Sequence, residues 1–154
     1  MTLASTRHEV ARLQVDMQTL KGIDINSKNE LFLVGEKLLI LNNELEKIEE
    51  FKLTQAAQVV EATETGLVYL AAKDHIEIWT TTGTQTARWE AYNERSHITS
   101  LALKDKLLFV ADAGNKVILK YNTQGKLLGE IGRRDSTSQS LGFIIPSPYF
   151  DIAI

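Results

Sequence analysis

Residues 107–132 read LLFVADAGNKVILKYNTQGKLLGEIG and contain the clearest structural pattern in the chain. Two apolar runs, LLFVA and VILKY, flank the polar tetrapeptide DAGN (112–115), and a second polar tetrapeptide, NTQG (122–125), follows them. Asp and Asn side chains hydrogen-bond the backbone of such turns, and Gly supplies a positive φ. The stretch therefore predicts short strands joined by tight turns.

The same order of apolar runs and turns occurs three times along the chain. Each unit has runs of four to seven residues that are rich in Val, Ile, Leu and aromatic residues, which predicts strands. The second run is apolar throughout, and this is typical of strands buried on both faces. The units span 22–48, 59–89 and 100–131, and their second runs contain Phe32, Tyr69 and Phe109.

Four strands in a repeat of about 40 residues are typical of a β-propeller blade. The predicted fold is all-β and β-propeller-like, a half propeller of about three four-stranded blades in a single domain. Blades are expected at about 20–53, 56–92 and 97–132, with the start of a fourth at 148–154. The expected inner strands are Gly22–Ile25, Val59–Ala62, Ser100–Leu103 and Phe150–Ile154.

Two segments fit both a strand pattern and a helix pattern. At the N-terminus, apolar and polar residues alternate over ARLQVDMQ, which favours a strand at about 10–18, although Val10, Leu13, Met17 and Leu20 also fit one helix face. In LNNELEKIEEF (41–51), a capping box favours a helix, whereas the repeat register favours a strand. We favour the strand in both segments.

Composition restricts the class of protein. The chain has 154 residues, of which 44% are hydrophobic and 24% charged, as is typical of a globular domain. It has no cysteine, which excludes disulfides, cysteine-ligated metal sites and a thiol nucleophile. The sequence contains no run of 18 apolar residues, so no membrane span is predicted. The net charge of −3 argues against nucleic-acid binding. The compartment stays open between the cytoplasm and a mature exported (periplasmic or extracellular) domain, and we favour the latter.

Charge is unevenly distributed between the two halves of the chain. Residues 1–77 contain 8 basic and 13 acidic residues, whereas residues 78–154 contain 9 basic and 7 acidic residues. The opposite signs of the two halves would suit head-to-tail association between copies of the chain. The acidic stretch ELEKIEEF (44–51) is expected to be a solvated surface.

Carboxylates on the inner strands are the candidate metal ligands. Asp24 and Glu61 occupy the same position in the repeat, where side chains would line a propeller channel. Calcium needs several oxygen ligands at once. The third repeat has Ala102 at this position, and Asp151 lies one position out of register. We therefore expect no cofactor, and keep calcium or zinc bound by Asp24, Glu61 and Asp151 as an alternative.

Candidate binding residues are aromatic and basic. Trp79 and Trp89 end strands, where they would be partner anchors if exposed and core residues if packed between blades. Arg133 and Arg134 precede the polar sequence STSQS and could hold an anion, or form a surface loop. His75 is expected in a solvent-facing turn. The sequence lacks the nucleophile-elbow, dinucleotide and P-loop patterns, so no catalytic residue is predicted.

Residues 107–132 also resemble an NHL repeat, a blade type found in six-bladed and related β-propellers. The resemblance is carried by V-A-D after the second strand, the G-N turn, the third strand with its terminal aromatic, N-x-x-G and the final I-G. It extends to 59–89 and 22–48. The family usually has an arginine two residues after the turn asparagine, where this chain has Val117, preceded by Lys116. The basic RNA-binding surface of some members is therefore not expected. The resemblance implies a binding platform and, in a minority of relatives, a lyase or lactonase with a metal in the channel.

A half propeller leaves two blade faces without neighbours, which predicts association. Two copies could form a dimer of about six blades, or the missing propeller half could complete the ring. We expect a non-catalytic interaction module for a protein or small-molecule ligand. The alternatives are a lyase- or lactonase-like enzyme or metal-binding protein that is active only in a complete ring, and a self-assembling fragment with no independent function.

Overall fold

The computed structural model describes residues 12–137, 141–145 and 150–154, and in these ranges the protein is built from strands and turns. None of this described part forms a helix capable of crossing a membrane. The strands, in chain order, are β1 Gly22–Ile25, β2 Leu31–Val34, β3 Lys37–Leu41, β4 Lys47–Lys52, β5 Val59–Ala62, β6 Leu67–Ala71, β7 Ile76–Thr80, β8 Gln85–Trp89, β9 Ile98–Lys104, β10 Leu107–Asp112, β11 Val117–Asn122 and β12 Leu127–Ile131.

The twelve strands form three four-stranded antiparallel sheets, each a simple meander. Blade 1 contains β1 to β4, blade 2 contains β5 to β8, and blade 3 contains β9 to β12. The protein is therefore all-β with propeller-like blades, as the repeat pattern predicts. The segment 41–51 ends in strand β4, so the strand interpretation is the correct one there and the helix interpretation is wrong.

Strand register places the repeat positions on equivalent sites. Asp24 lies opposite Phe32, Glu61 lies opposite Tyr69, and Ala102 lies opposite Phe109. Because directly opposed residues project to the same side of a sheet, these pairs define one face in each blade. We call this the front face, which is the side toward the next blade along the chain, and call the opposite side the back face.

Front faces pack on back faces to form two cores. Between blades 1 and 2, the front-face residues Phe32 and Ile40 lie in one buried cluster with Val68, Leu70 and Trp79. Between blades 2 and 3, an equivalent buried cluster joins the front of blade 2 to the back of blade 3; it includes Tyr69, Ile78, Leu101, Val110 and Leu119. Since each core needs two sheets, no blade is a folding unit by itself.

Tight turns between the third and fourth strands share one geometry. The Asn42 side chain accepts hydrogen bonds from the backbone N–H groups of Glu44 and Glu46, at 3.0 and 2.8 Å. Asn122 does the same for Gln124 and Lys126. The equivalent backbone positions Leu45, Gly83 and Gly125 have φ of 64°, 85° and 81°. Glycine accepts this conformation freely, whereas leucine does so at a cost.

Each outer strand also contains a β-bulge at the same place. In blade 1, Ile40 pairs with Glu49 and Leu41 with Lys47, so Ile48 is the extra residue. Register shifts in blades 2 and 3 leave the extra residues at Thr86 and Leu128. The irregularity is therefore part of the repeat.

The N-terminal segment does not form the expected strand over about 10–18. Residues 12–18 have no strand pairing, and residues 10 and 11 lie outside the described part. Within residues 12–18, side chains make the contacts instead: Val15 and Met17 cover Leu33, Leu39 and Leu41 on the back face of blade 1. A strand needs a neighbouring strand edge for its backbone hydrogen bonds, and a sheet face offers none.

The C-terminal segment does not begin a regular fourth blade. Residues 150–154 have no strand assignment, and residues 148 and 149 lie outside the described part. The segment nevertheless lies along β9, because the Thr99 hydroxyl donates a hydrogen bond to the Phe150 carbonyl oxygen at 2.7 Å. It is held by side chains of β9 and not by backbone pairing, which explains the lack of strand structure.

Candidate functional site

The inner strands β1, β5 and β9 lie side by side and line an open groove. The groove has a volume of about 490 Å³ and extends from Lys21 at one end to residues 151–154 at the other. This is the place in a propeller where the inner strands surround a central channel. The candidate metal ligands Asp24, Glu61 and Asp151 all line it, so the structure brings these three sequence-predicted residues to one surface.

Asp24 and Glu61 each bind the backbone of the following blade. The Asp24 Oδ2 atom accepts a hydrogen bond from the Ala62 N–H group at 2.7 Å, and Glu61 Oε1 accepts one from Leu103 at 2.8 Å. Both bonds therefore run from one inner strand to the next. Their equivalence follows from the repeat register, and their role is to fasten adjacent blades at the groove.

Asp151 makes a different contact. The Ser100 hydroxyl donates a hydrogen bond to Asp151 Oδ1, and the same hydroxyl accepts one from the Ile152 N–H group at 3.3 Å. Ala102 cannot supply the carboxylate that Asp24 and Glu61 provide in the earlier blades. The contacts of Ser100 with the C-terminal segment take the place of that fastening at the end of the arc.

Glu61 has an unusual acid–base character. The pKa of its carboxyl group is raised to about 7, chiefly by burial and to a smaller extent by the nearby negative charge of Asp24, while the hydrogen bond from Leu103 lowers it. A carboxyl group with a pKa near neutrality in an open groove is able to give or take a proton. This property cannot be read from the sequence, because it depends on which strands surround the side chain.

The groove carboxylates do not converge on a metal. Within the described ranges, no three His, Asp or Glu side chains lie close enough together to hold an ion. Asp24 and Glu61 each direct an oxygen at a backbone N–H group instead. The residues present therefore do not fit a calcium or zinc site, which needs several converging ligands.

The two tryptophans lie between blades. Trp79 is 7% exposed, stacks on Phe51 with ring centroids 5.9 Å apart, and donates its indole N–H to Glu77 at 2.9 Å. Trp89 is half-buried and contacts the rings of Tyr69 and Tyr121. Trp79 is thus placed in the core and not where a partner could reach it.

The two arginines lie after the last strand of blade 3. Arg133 bonds to Glu130 and to the Tyr92 hydroxyl, and its guanidinium lies 5.9 Å from the Tyr92 ring centre. This contact fastens the loop before β9 to the end of β12. Arg134 is exposed and lines a separate cavity with Lys116 and Phe143. The pair therefore has one residue in a structural contact and one directed to the surface.

A buried polar cluster was not predicted. His75 is 2% exposed, so the expectation of a solvent-facing turn is wrong, and its neighbour Glu77 is 3% exposed. His75 Nδ1 lies 2.9 Å from Asp74 Oδ1, and His75 Nε2 lies 3.5 Å from Glu77 Oε1. The signal in the sequence was the glutamate inside the apolar run IEIWT, where alternation places His75, Glu77 and Trp79 on the back face of blade 2.

Asp112 is a further buried polar residue, with no exposed surface. It accepts hydrogen bonds from the backbone N–H groups of His97 and Asn115, at 3.0 and 3.1 Å, and from the Asn115 side chain at 2.7 Å. The hairpin turn expected at DAGN is thus held by a side chain that caps the backbone. Asn115 and Asn93 also exchange side-chain hydrogen bonds. This network orders one rim of blade 3 without presenting a reactive group.

The repeated blades and the groove at their inner edge define a partial β-propeller. No family model matches the chain, and no curated protein matches it. Among solved structures, the chain is similar to virginiamycin B lyase from Staphylococcus aureus, with 15% identity over 73% of this chain and 40% of that one, and a TM-score of 0.61. It is also similar to Kluyveromyces lactis Hsv2, with 15% identity over 73% of this chain and 36% of that one, and a TM-score of 0.60.

A third similar structure is the computationally designed Ika4 protein. It matches with 17% identity over 87% of this chain and 82% of that one, at a TM-score of 0.64. At such identities the likeness shows the fold alone. The chain spans about two-fifths of the length of the lyase and of Hsv2, and these relatives place the three blades within the β-propeller fold.

Proposed function

We propose that the protein is a non-catalytic interaction module of the NHL type, which binds a polar ligand in the groove along its inner strands. The observation that carries this proposal is the groove itself, an open concavity of about 490 Å³ with carboxylate and hydroxyl groups on its walls. The NHL assignment is supported by the buried Asp112 and by the turn that Asn122 caps, both of which belong to the motif.

The ligand we propose carries hydrogen-bond donors, as amines and peptide N–H groups do. Asp24, Glu61 and Asp151 offer acceptor oxygens along the groove, whereas Lys21 is the basic residue on its lining. Each carboxylate that already accepts one backbone hydrogen bond keeps further lone pairs. Such a surface favours donors over anions.

Binding is tested by NMR titration of the amide resonances with spermidine and with lysine-containing tripeptides. The amides of Ala62 and Leu103 report on the groove, because they donate to Asp24 and Glu61. Saturable shifts at these amides that are lost in Asp151→Asn would support the proposal. Shifts confined to other surfaces, or no shift at millimolar probe, would contradict it.

An enzymatic function is the second candidate. It is favoured by the pKa of Glu61 of about 7 and by the lyases among the similar structures. Under this alternative, the complete ring is a lyase that acts on a compound of the virginiamycin B type, with Glu61 exchanging a proton. Incubation with virginiamycin B, with and without added calcium or zinc, followed by mass spectrometry tests it. Cleavage that is absent in Glu61→Gln would favour the enzyme, and an unchanged substrate would favour the binding module.

A further inference from the structure

The back face of blade 1 and the front face of blade 3, which we call the end faces, correspond to the two sides of a blade junction. In the two internal junctions, a front face packs on the back face of the next blade. Among the described residues, no further sheet packs on the front face of blade 3, with Phe109 and Ile131, or on the back face of blade 1, with Ile23 and Leu33. The two surfaces are therefore the two halves of one repeated type of interface.

Each end face is covered over a different half of its width. On blade 1, Val15 and Met17 cover the middle strands at Leu39 and Leu41, while the inner strand keeps Ile23 63% exposed. On blade 3, residues 150–154 lie along the inner strand β9, while the outer strand keeps Ile131 47% exposed. The inner strand is thus open on blade 1 and covered on blade 3.

The structure points to a second copy of this chain as the occupant of both faces. We propose that two copies associate head to tail about a two-fold axis, with blade 3 of each facing blade 1 of the other. In each junction, the N-terminal segment of one copy lies over the middle strands and the C-terminal segment of the other copy lies over the inner strands. The two end faces then fit together, and the exposed side chains of Ile23 and Ile131 become buried.

Charge and surface area support the same occupant. On the front face of blade 3, Lys120 stands at the position of the buried Ile40 and Ile78, with its ammonium 6.0 Å from the Phe109 ring centre. The back face of blade 1 carries Glu50 in the row of Leu33 and Leu39. Residues 1–77 have five more acidic than basic residues, and residues 78–154 have two more basic than acidic ones. Glu50 already pairs with Lys37 at 3.2 Å and with Lys47 at 3.6 Å. The charge argument therefore depends on Lys120 and on the opposite charge surpluses of the two halves, which favour head-to-tail pairing over pairing of like faces.

The area exposed by the chain is also large. The chain exposes 10111 Å², whereas a compact monomer of 17.3 kDa exposes about 7,800 Å². Only part of this excess of about 2,300 Å² belongs to the two end faces.

The test uses two charge substitutions on opposite faces, Ile23→Glu and Ile131→Glu, with Ile48→Glu as a matched control. Ile48 is 45% exposed but lies at the bulge of β4, away from both end faces. Because all three side chains are exposed, the variants are expected to fold, which circular dichroism checks. Light scattering over a hundredfold concentration range measures the mass.

We expect a dimer of about 35 kDa for the wild type and for Ile48→Glu, twice the chain mass of 17.3 kDa. Each end-face variant should associate at least tenfold more weakly. An equimolar mixture of Ile23→Glu and Ile131→Glu should regain dimers, since one of its two junctions contains no substitution. A face-to-face dimer through blade 3 would predict instead that Ile23→Glu dimerises normally.

Several results would overturn the proposal. They are a wild-type monomer at the highest concentration, a mass that grows without limit, normal dimerisation of either variant, and a mixture that stays monomeric. The groove and the end faces share Ile23 and residues 151–154, whereas Ile131 lies outside the groove lining. Groove binding is therefore measured on Ile131→Glu, so that loss of association and loss of ligand binding are distinguished.

Discussion

The carboxylate of Glu61 accepts a hydrogen bond from the backbone N–H group of Leu103, 2.8 Å away, across the junction between blades 2 and 3. Asp24 makes the equivalent bond to Ala62 across the preceding junction. The hydrogen bond at Glu61 is coupled to pH, because burial raises the pKa of this carboxyl group to about 7.

Replacing Glu61 by glutamine should change how stability depends on pH. The folded-state pKa of about 7 lies above the ordinary value of 4.5, so the folded protein holds this proton more tightly than the unfolded chain does. The resulting stability is complete below about pH 4.5 and is lost as the pH rises through about 7. Glu61→Gln still accepts the Leu103 bond but cannot ionise, so its urea midpoint should fall less between about pH 5 and pH 8. Parallel profiles for wild type and variant would contradict this, and Glu64→Gln, at an exposed site, is the control.

Substitutions at the turn between the third and fourth strands should have opposite signs in blades 1 and 3. Leu45 has φ of 64°, so Leu45→Gly removes backbone strain and should stabilise the fold by about 0.5–1 kcal/mol. Gly125 has φ of 81°, and an added Cβ would lie 2.6 Å from the Trp89 indole nitrogen. Gly125→Ala should therefore destabilise by more than about 1 kcal/mol. Thermal unfolding of both variants measures this, and equal signs would show that the two turns are not equivalent.

Loss of the Asp112 carboxylate should weaken the rim of blade 3. Asp112 is fully buried, and its two carboxylate oxygens accept three hydrogen bonds. Asparagine has one acceptor oxygen, so its amide nitrogen cannot accept the hydrogen bonds made by the second oxygen. Asp112→Asn should cost about 1–3 kcal/mol, since a buried donor is left without an acceptor. Urea unfolding measures the loss, and Asp16→Asn at an exposed position should change stability by less than about 0.5 kcal/mol. An equal effect of the two substitutions would show that the network does not stabilise the turn.

Trp79 and Glu77 should show coupled effects on stability. The Trp79 indole N–H is a hydrogen-bond donor to the buried Glu77 carboxylate at 2.9 Å, so Trp79→Phe leaves one carboxylate oxygen without this donor. We expect a loss of about 2–3 kcal/mol, part of it from the smaller ring. In a Glu77→Leu background, the same substitution should cost at least about 1 kcal/mol less, because no buried carboxylate remains. Strictly additive effects in this double-mutant cycle would show that the hydrogen bond contributes nothing.

The strands were predictable because their signals are local. The apolar runs around Phe32, Tyr69 and Phe109, with polar turns between them, set both the strands and the equivalence of Asp24 and Glu61. What the sequence did not reveal depends on neighbours that lie far away along the chain. Residues 12–18 alternate as a strand does, yet they meet a sheet face and not an edge.

The candidate site was predictable in position but not in character. Inner-strand carboxylates were expected to face a channel, and Asp24 and Glu61 do line the groove. Their hydrogen bonds to Ala62 and Leu103 were not foreseen, because they depend on the spacing between sheets. The prediction for His75 is wrong for the same reason, because its burial depends on packing between blades and not on the local turn sequence.

The extra residue in each outer strand has a practical consequence for engineering. Isoleucine, threonine and leucine occupy the bulge in turn, so residue count, and not side-chain identity, preserves the kink. An outer hairpin of matching length should thus be transplantable from one blade to another. The three sheets can in that sense be treated as interchangeable cassettes, on which new recognition loops could be built one blade at a time.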